Sequence, residues 1–427
     1  MRRYESYKDS GVEWLGEVPS YWEISSLGKI LLSVSEKNRP DLPLLSITRE
    51  LGVIERDTED QDSNHNFIPD DLSNYKILKK GQFGMNKMKA WQGSYGVSDF
   101  TGIVSPAYYI FDFIKSINPQ FFHWAIRSKI YVSFFGSASD GVRIGQWDLS
   151  KSRMKSIPFI IPSNDEQQKI AQFLDDKTAK IDQAVDLAEK EIALLKEHKQ
   201  ILIQNAVTRG LNPDVPLKDS GVEWIGQVPE HWDVKKLKFV SKINQHTLPE
   251  NTNGSLSIKY VDIGSVSFEN GIEKVENFLF KNAPSRARRL ANRGDIVVST
   301  VRTYLKAITM VKEEHQDCIF STGFAVITSN ECLEDNFFEL YAKSDAFTEQ
   351  VSVFSKGMSY PAINSTDLSN LWITVPPISE QQKIADYLET QVSKINQAIA
   401  LKTAHIEKLK EYKSVLINDV VTGKVRV

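Results

Sequence analysis

Two long stretches of the chain, 166–206 and 380–420, place apolar residues alternately four and three positions apart, and the second stretch repeats the first at an offset of 214 residues. A 4-3 spacing held over this length predicts a coiled-coil seam along a helix. With a rise of 1.5 Å per residue, each helix would be about 60 Å long. The predicted helix-pairing residues are Ile181, Val185, Ile192, Leu195, Lys199 and Leu202 in the first copy, and Ile395, Ile399, Ile406, Leu409, Lys413 and Leu416 in the second.

Lysines interrupt this seam at the same heptad position of each copy, Lys199 in the first and Lys413 in the second. A polar residue inside a seam lowers stability but fixes the register and orientation of the helix pair. Because the seam is repeated within one chain, the second copy is the predicted partner of the first. The short path between them favours an antiparallel pair.

The beginning and end of the long helices carry their own signals. Asp165 with Gln168, and Ser379 with Gln382, have the spacing of a capping box, which satisfies free backbone groups in the first helical turn. Gly210 is typical of a helix end.

A second repeat precedes each globular part. The head segment 8–29 returns as 218–238, with near identity over DSGVEW and the following Gly, Val and Pro, and with Trp22 matched by Trp232. A repeat of about 210 residues is far longer than a solenoid unit and indicates duplication of a whole module. We expect the heads to be packing elements that dock on the long helices.

Short apolar runs bounded by Gly, Pro and Asn fill the segments between head and helix, and they predict strands. The predicted strands are 44–47, 82–85, 102–104, 107–111 and 156–162, and then 260–263, 296–299, 307–311, 324–328 and 371–376. The predicted helices are 121–135 and 336–353. The fold class is therefore α+β, with two globular domains separated by two long antiparallel coiled-coil helices in a pseudo-twofold internal repeat.

The repeat divides the chain into four parts. The first domain is predicted at 1–162, including its head, and is followed by a helix at 163–210. The second domain is predicted at 211–376, and the C-terminal helix at 377–427. Because heads and helices repeat closely whereas the domains between them differ, the domains are predicted to share a fold and to do one job on different targets.

Composition and charge limit the cellular compartment and the kinds of partner expected for the protein. The chain of 427 residues is 41% hydrophobic and 25% charged, as in ordinary globular proteins, and its net charge of −3 argues against unspecific polyanion binding by the whole chain. It contains no apolar run of about eighteen residues and no secretory signal. Cys318 and Cys332 lack metal-type spacing and suit a reducing compartment. A cytoplasmic protein without membrane contact is expected.

Catalytic motifs are absent from the sequence. It has no phosphate-binding loop of the G-x-x-x-x-G-K-[ST] type, no G-x-G-x-x-G after a predicted strand and no H-E-x-x-H. Pro376 and Pro377 do not belong to an Asn/Asp-Pro-Pro-Tyr motif of an amino-methyltransferase. We therefore predict neither catalytic nor metal-binding residues.

Basic and aromatic residues interleave in two segments, 75–91 and 281–306. Lys and Arg neutralise phosphates, while Arg, Gln and Asn can bond to base edges. The clusters predict local DNA-binding surfaces; a solvated basic face is the alternative for any single residue. The candidate residues are Lys87, Lys89, Trp91, Gln92, Arg143 and Gln146 in the first domain, and Arg286, Arg288, Arg289, Arg293, Arg302, Tyr304, Lys306, Lys356 and Tyr360 in the second.

The whole pattern resembles the specificity subunit of type I restriction-modification enzymes. The resemblance covers essentially the whole chain and is most specific in EQQKIA at 166–171 and 380–385 and in the two heads. MNKMKAW at 85–91 and IVSPAY at 103–108 are similar to stretches of the family's target recognition domains.

The resemblance implies a non-catalytic, DNA-reading subunit of a phage-defence system. Each domain would read one half of a bipartite, asymmetric site on double-stranded DNA, and the helices would set the gap. Two modification (methyltransferase) subunits and two restriction subunits would assemble on the chain; S-adenosylmethionine, ATP and Mg²⁺ would belong to those partners. Two alternatives stay open from the residues alone: an enzyme with a built-in DNA reader, and a coiled-coil scaffold that binds only protein.

Overall fold

The computed structural model describes residues 2–57, 68–143 and 146–427, and only the backbone of Val142, Arg143 and Gln146. The chain divides into two compact units. Unit 1 comprises Met1–Glu189 and Ala404–Val427, and unit 2 comprises Lys190–Thr403. Each unit therefore combines one globular part with a portion of both long helices.

Unit 1 begins with short strands and ends its globular part in a long helix. Its strands are β1 (Tyr7–Asp9), β2 (Glu17–Pro19), β3 (Glu23–Ser26), β4 (Leu31–Val34), β5 (Leu45–Thr48), β6 (Gly52–Glu55), β7 (Lys76–Leu78), β8 (Phe83–Asn86), β9 (Tyr95–Val97), β10 (Gly102–Val104), β11 (Tyr108–Phe113), β12 (Ser139–Arg143), β13 (Gln146–Leu149) and β14 (Pro158–Ile161). Its helices are α1 (Leu27–Ile30), α2 (Pro119–Ile126), α3 (Lys129–Ser137), α4 (Lys151–Ser156) and the beginning of α5 (Asn164–Arg209).

Unit 2 repeats this order of elements after the end of α5. Its strands are β15 (Leu217–Asp219), β16 (Gln227–Pro229), β17 (Asp233–Lys236), β18 (Ser241–Ile243), β19 (Ser257–Val261), β20 (Val266–Ser267), β21 (Gly271–Ile272), β22 (Glu276–Leu279), β23 (Ala287–Leu290), β24 (Ile296–Ser299), β25 (Ile308–Met310), β26 (Cys318–Ser321), β27 (Phe324–Ser329) and β28 (Trp372–Val375). Its helices are α6 (Asp335–Ala342), α7 (Asp345–Phe354), α8 (Ser365–Ser369) and the beginning of α9 (Ile378–Val421).

Each unit contains an antiparallel four-stranded sheet with the same pattern of strand pairing. Its strand order is β4-β11-β8-β9 in unit 1 and β18-β27-β24-β25 in unit 2. In each sheet the third and fourth strands form a hairpin, β8 with β9 and β24 with β25. Unit 2 adds a second four-stranded sheet, β22-β19-β26-β23, whereas the described residues of unit 1 form two-stranded pairs in this region. The predicted α+β class is confirmed.

Each globular part contains two short helices where the sequence predicts one. Helix 121–135 is wrong as a single element, because Ser128 has an extended backbone (ψ 153°) and separates α2 from α3. Helix 336–353 is likewise divided into α6 and α7 at Ser344 (ψ 161°), whose hydroxyl donates to the Tyr341 carbonyl. Apolar residues continue on both sides of each break, so periodicity alone could not reveal it.

The repeated heads are packing elements. The side chain of Trp22 is buried in the core of unit 1 together with Leu416 and Val420 of α9. Trp232 is buried in the core of unit 2 together with Ile203 of α5. Each head also pairs with the last strand of its globular part, β3 with β14 and β17 with β28. Burial of the tryptophans, at about 150–250 Å² per aromatic side chain, explains why this segment is repeated so closely.

A buried glutamine joins the start of each long helix to the globular part. Gln381 Nε2 donates to the carbonyls of Pro376 and Cys332 at 2.8 and 2.9 Å, and its Oε1 accepts the Glu334 backbone N–H at 2.8 Å. Gln167 repeats two of these contacts in unit 1, with the Pro162 carbonyl and a backbone N–H. The second residue of each EQQ motif is therefore a structural crosslink.

The start of α5 differs from the predicted capping box. Ser163, rather than Asp165, caps the helix: its hydroxyl accepts the Glu166 N–H at 3.4 Å and bonds to the Glu166 carboxylate at 3.2 Å. In α9 the first turn bonds to the Pro377 carbonyl instead of a Ser379 hydroxyl. The α5 prediction was wrong because a Ser-x-x-Glu pattern two residues earlier forms the cap. The α9 prediction was wrong because the Pro377 carbonyl accepts the N–H groups of Glu380 and Gln381.

Within unit 1, the first part of α5 packs antiparallel against the last part of α9. Lys413 Nζ donates to both carboxylate oxygens of Asp182 at 2.7 Å, while Lys410 Nζ lies 3.8 Å from Glu189 Oε1. Residue numbers therefore fall along one helix as they rise along the other. The predicted pairing residues of this part, all buried or half-buried, are Ile181, Val185, Ile406, Leu409 and Leu416.

The helix portions in unit 2 repeat this arrangement. Lys199 Nζ donates to Asn396 Oδ1 at 3.2 Å, and Lys402 forms an ion pair with Glu191. Asn396 corresponds to Asp182 at the offset of 214, so both seam lysines bond to an equivalent acceptor on the facing helix. Burial lowers the pKa of Lys199. The predicted pairing residues of this part, all half-buried, are Ile192, Leu195, Leu202, Ile395 and Ile399. Within the described ranges, no helix is long and apolar enough to cross a membrane.

Candidate nucleic-acid interface

In unit 1, the loop between β8 and β9 carries four of the candidate residues. A short 3₁₀ helix, Ala90–Gln92, lies at its centre and contains Trp91. Lys89 is exposed immediately before this helix. Lys87 lies at the start of the loop, where its Nζ is 3.3 Å from Asp148 Oδ1.

The hairpin of β12 and β13 packs against this loop. The backbone N–H of Trp147 donates to the Met88 carbonyl at 3.4 Å, and the indoles of Trp147 and Trp91 stack with centroids 5.1 Å apart. Arg143 ends β12 and Gln146 begins β13, so both backbones flank the turn of the hairpin; their side chains lie outside the described part. The stack joins two loops into one surface.

Further lysines make this side of unit 1 electropositive. Burial lowers the pKa of Lys76, and the neighbouring charges of Lys37, Lys151 and Lys87 lower it further. Lys76 Nζ donates to the Tyr108 carbonyl at 2.6 Å. Since like charges raise each other's free energy, an anion placed here would stabilise all of them.

In unit 2, the loop between β24 and β25 occupies the equivalent position. It also contains a 3₁₀ helix, Thr303–Leu305. An offset of 213 aligns Arg302 with Lys89 and the exposed Tyr304 with Trp91. Both loops thus present a basic residue followed two positions later by an aromatic one. In each unit, the loop between the third and fourth strands of the four-stranded sheet therefore carries a basic and an aromatic side chain at equivalent positions.

A second loop, 355–363, lies over the first in unit 2. Lys356 and Ala362 exchange two backbone hydrogen bonds at its base, at 2.8 and 2.9 Å. Thr303 N–H donates to the Pro361 carbonyl at 3.3 Å, and the Arg302 guanidinium lies 5.2 Å from the centre of the Tyr360 ring. An aromatic residue from the second loop therefore stacks on the first loop in both units.

The structure gathers some of the candidate residues of the second cluster and separates others. Arg286 lines one surface pocket with Arg302 and Tyr360. Lys306 belongs to the same loop, and its Nζ donates to Thr348 Oγ1 at 3.2 Å. Lys356 is exposed, with its Nζ 3.9 Å from the carboxylate of Asp367. The candidate DNA-binding surface of unit 2 therefore consists of the side chains of Arg286, Arg302, Lys306, Lys356, Tyr304 and Tyr360.

Three arginines of this cluster have other surroundings. The Arg288 guanidinium stacks on Phe280 at 4.7 Å. Arg289 donates to Thr247 Oγ1 at 3.3 Å, and burial lowers its pKa. Arg293 lies in the turn before β24, 3.5 Å from Glu313. Alternate residues of β23 point to opposite faces, so a run of arginines in sequence is not a cluster in space.

Sequence reasoning missed Trp147, Met358 and the lysines around Lys76. Trp147 is partly exposed and Met358 is fully exposed at the tip of the second loop. Lys37 and Lys151 are distant from Lys76 in sequence: Lys37 pairs with Lys76 in an isolated antiparallel β-bridge, and Lys151 Nζ donates to Ser33 of β4. The one available signal was the aromatic residue inside a Gly-rich hairpin, GVRIGQW at 141–147.

A sequence model of the family described as the type I restriction modification DNA specificity domain matches residues 87–196 and 229–411, more than half of the chain. The chain belongs to this family. The two matches include both loops of each unit and portions of both long helices. The described residues contain no cluster of His, Cys, Asp and Glu that could hold a metal ion.

Similar proteins extend over most of the chain. The MjaVIII specificity subunit of Methanocaldococcus jannaschii is 26% identical over 309 residues, which is 70% of this chain and 69% of the relative. The putative MjaX specificity subunit of the same organism is 24% identical over 97% of this chain and 96% of its own. The EcoDI specificity subunit of Escherichia coli is 22% identical over 90% and 86%, respectively.

Solved structures share the fold. A chain from a study of complex assembly and conformational transition in the type I R-M system superimposes with a TM-score of 0.72 at 15% identity, covering 96% of this chain and 99% of that one. The HsdS subunit from Thermoanaerobacter tengcongensis has a TM-score of 0.59 at 16% identity, covering 98% and 100%. This chain thus has the fold of both solved chains.

Proposed function

We propose that the chain is the DNA sequence-recognition subunit of a type I restriction-modification complex and has no catalytic activity of its own. Each unit reads one half of a bipartite, asymmetric site through its two stacked loops. The observation that carries this proposal is the equivalence of two hairpin loops. Lys89 and Trp91 lie in the β8–β9 loop of unit 1, and Arg302 and Tyr304 lie at equivalent positions in the β24–β25 loop of unit 2. Two readers on one scaffold account for a duplicated fold with different loop residues.

The chemistry of the loops supports DNA as the ligand. Exposed Lys and Arg side chains neutralise phosphates and set the register, whereas planar groups and amides can reach base edges. The net charge of the chain is −3, so these local surfaces, rather than the whole molecule, would attract the polyanion. We propose that the protein meets its DNA in the cytoplasm.

The long helices are proposed to set the spacing between half-sites and to dock two methyltransferase subunits. Exposed apolar residues away from the seam support the docking role, and they occur at equivalent positions: Leu187 and Val415 in unit 1, and Leu401 and Ile201 in unit 2. Equivalent surfaces suit two copies of one partner. Restriction subunits would join this complex, and S-adenosylmethionine, ATP and Mg²⁺ would bind to the partners.

The proposal predicts sequence-specific DNA binding with strong salt dependence. Five phosphate contacts would weaken the affinity roughly 500-fold when salt rises from about 50 to about 200 mM. The measurement is a titration of the full chain, assembled with methyltransferase subunits, against duplexes selected from a random library and against unselected duplexes. Equal and weak binding to both pools would favour a protein-only scaffold, while DNA cleavage or S-adenosylmethionine binding by the isolated chain would favour an enzyme with a built-in reader.

A further inference from the structure

Arg302 has a backbone conformation that arginine rarely adopts. Its φ of 53° and ψ of 49° are left-handed, and Lys306 at the other end of the same 3₁₀ helix has a φ of 47°. Among the described residues, the other non-glycine residues with positive φ are Asn38 and Asn244, whose short side chains tolerate this region. Such strain in bulky residues clusters at functional sites.

Contacts from the second loop hold this conformation in place. Thr303 N–H donates to the Pro361 carbonyl at 3.3 Å, and its hydroxyl bonds to Ser355 Oγ at 2.9 Å. Behind them, Ile363 N–H donates to the Thr300 carbonyl at 2.9 Å. The backbone on both sides of Arg302 is therefore anchored, so the direction of its side chain is set by the fold.

The Arg302 side chain is held at the surface without an ionic partner. Its guanidinium carbon lies over the Tyr360 ring, 5.2 Å from the ring centre, which restrains the side chain, and it forms no ion pair with a carboxylate in the described ranges. It borders a pocket that Asp262 and Arg286 also line. A planar, oriented fork of N–H donors is therefore presented to an external acceptor pair.

We propose that Arg302 reads a guanine, so that the half-site bound by unit 2 contains a G·C pair at the position of this side chain. Two guanidinium N–H groups would donate to the O6 and N7 of guanine in the major groove, the commonest specific contact of arginine with DNA. An arginine fork can also bind a phosphate bidentately, but Lys306 and Lys356 already supply positive charge for phosphates on this surface. A fork whose direction is set by the backbone is the geometry that bidentate contact with guanine requires. This inference rests on the proposed DNA-recognition function.

Among the described residues of unit 1, the equivalent loop position does not have this device. The equivalent Lys89 has a φ of −125°, and the left-handed position at the end of its loop is occupied by Gly93 with a φ of 93°. There the aromatic side chain from the second loop stacks on Trp91 rather than on a cation. The guanine contact is therefore proposed for Arg302 and the half-site of unit 2.

The test compares the full chain with Arg302→Ala and Arg302→Lys variants, each assembled with methyltransferase subunits. Each complex selects duplexes from a random library, and binding is then measured on the selected site with guanine or 7-deazaguanine, which lacks the N7 acceptor. The wild type is expected to bind the 7-deazaguanine duplex roughly 5- to 100-fold more weakly. Arg302→Ala is expected to bind both duplexes equally, and Arg302→Lys to show a weaker guanine preference than the wild type while keeping the salt dependence.

The outcomes separate this inference from the proposed function. A wild-type complex that selects no motif would overturn both. If the wild-type complex selects a bipartite motif and Arg302→Ala selects the same motif with the same guanine preference, the inference fails and the proposed function stands. The same conclusion follows if the wild-type motif contains no guanine in the half-site bound by unit 2. Melting curves of the variants check folding. Alanine and lysine keep the left-handed strain of position 302, and Arg302 has no ion pair to lose, so the melting temperature is expected to stay close to that of the wild type.

Discussion

Replacing Gln381 with leucine is expected to lower the free energy of unfolding of unit 2 by about 3–5 kcal/mol. The Gln381 side chain is completely buried, and its amide bonds to the carbonyls of Pro376 and Cys332 and to the N–H of Glu334. Leucine fills a similar volume but leaves one buried and two part-buried backbone groups without these partners, and a buried unpaired group costs about 1–3 kcal/mol. Urea denaturation followed by tryptophan fluorescence measures the change.

The neighbouring glutamine provides a matched control. Gln382 is exposed, and its amide makes one long hydrogen bond of 3.4 Å to Asp386. Gln382→Leu should therefore change the free energy of unfolding by less than about 0.5 kcal/mol. The same contrast is expected between Gln167→Leu and Gln168→Leu in unit 1. If both glutamines of an EQQ motif proved equally replaceable, the crosslink would not have the role assigned to it.

Inserting one heptad into each long helix is expected to lengthen the gap between half-sites by about three base pairs. Seven residues add roughly 10.5 Å at 1.5 Å per residue and keep the seam in register, and the duplex rises about 3.4 Å per base pair. The insertions belong after Glu189 in α5 and after Thr403 in α9, where the chain passes between units. Sequencing the methylated sites of cells carrying the variant measures the gap.

A single insertion serves as the control for the paired one. A heptad added to α5 alone would leave its seam opposite the wrong residues of α9, separating contacts such as Lys413 with Asp182 or Lys199 with Asn396. We expect this variant to lose stability and methylation. A double insertion that leaves the gap unchanged, or that changes the bases read in either half-site, would remove the spacing role of the helices.

The long helices were predictable because their signal is local and periodic. The 4-3 spacing and the terminal glycine gave the extent of α5 to within a few residues, since Gly210 follows its last residue, Arg209. The breaks at Ser128 and Ser344 were not predictable from the same rule, because the apolar face continues through them. The repeated heads indicated that Trp22 and Trp232 are packing residues, but not which residues they contact. Trp22 packs with Leu416 and Val420, about 400 positions away, and Trp232 packs with Ile203 of α5.

The candidate interface was predictable in part. The basic and aromatic residues around Lys89 and Arg302 are close in sequence because a single hairpin loop carries them. Proximity in sequence did not show where the side chains of Arg288 and Arg289 lie, since a strand turns alternate side chains to opposite faces, and Arg293 lies beyond that strand in a turn. The second loop could not be joined to the first without the sheet, and the left-handed backbone of Arg302 leaves no mark in the sequence.

Methylation mapping after a domain exchange tests the central proposal, one half-site per unit, most directly. Residues 30–156 are replaced by the corresponding segment of another family member with a known site, and the variant is expressed with its methyltransferase subunits. One half of the methylated site is expected to change to that of the donor, while the other half, read by unit 2, stays as in the wild type. Changes in both halves, or in neither, would contradict the assignment of one half-site to each unit.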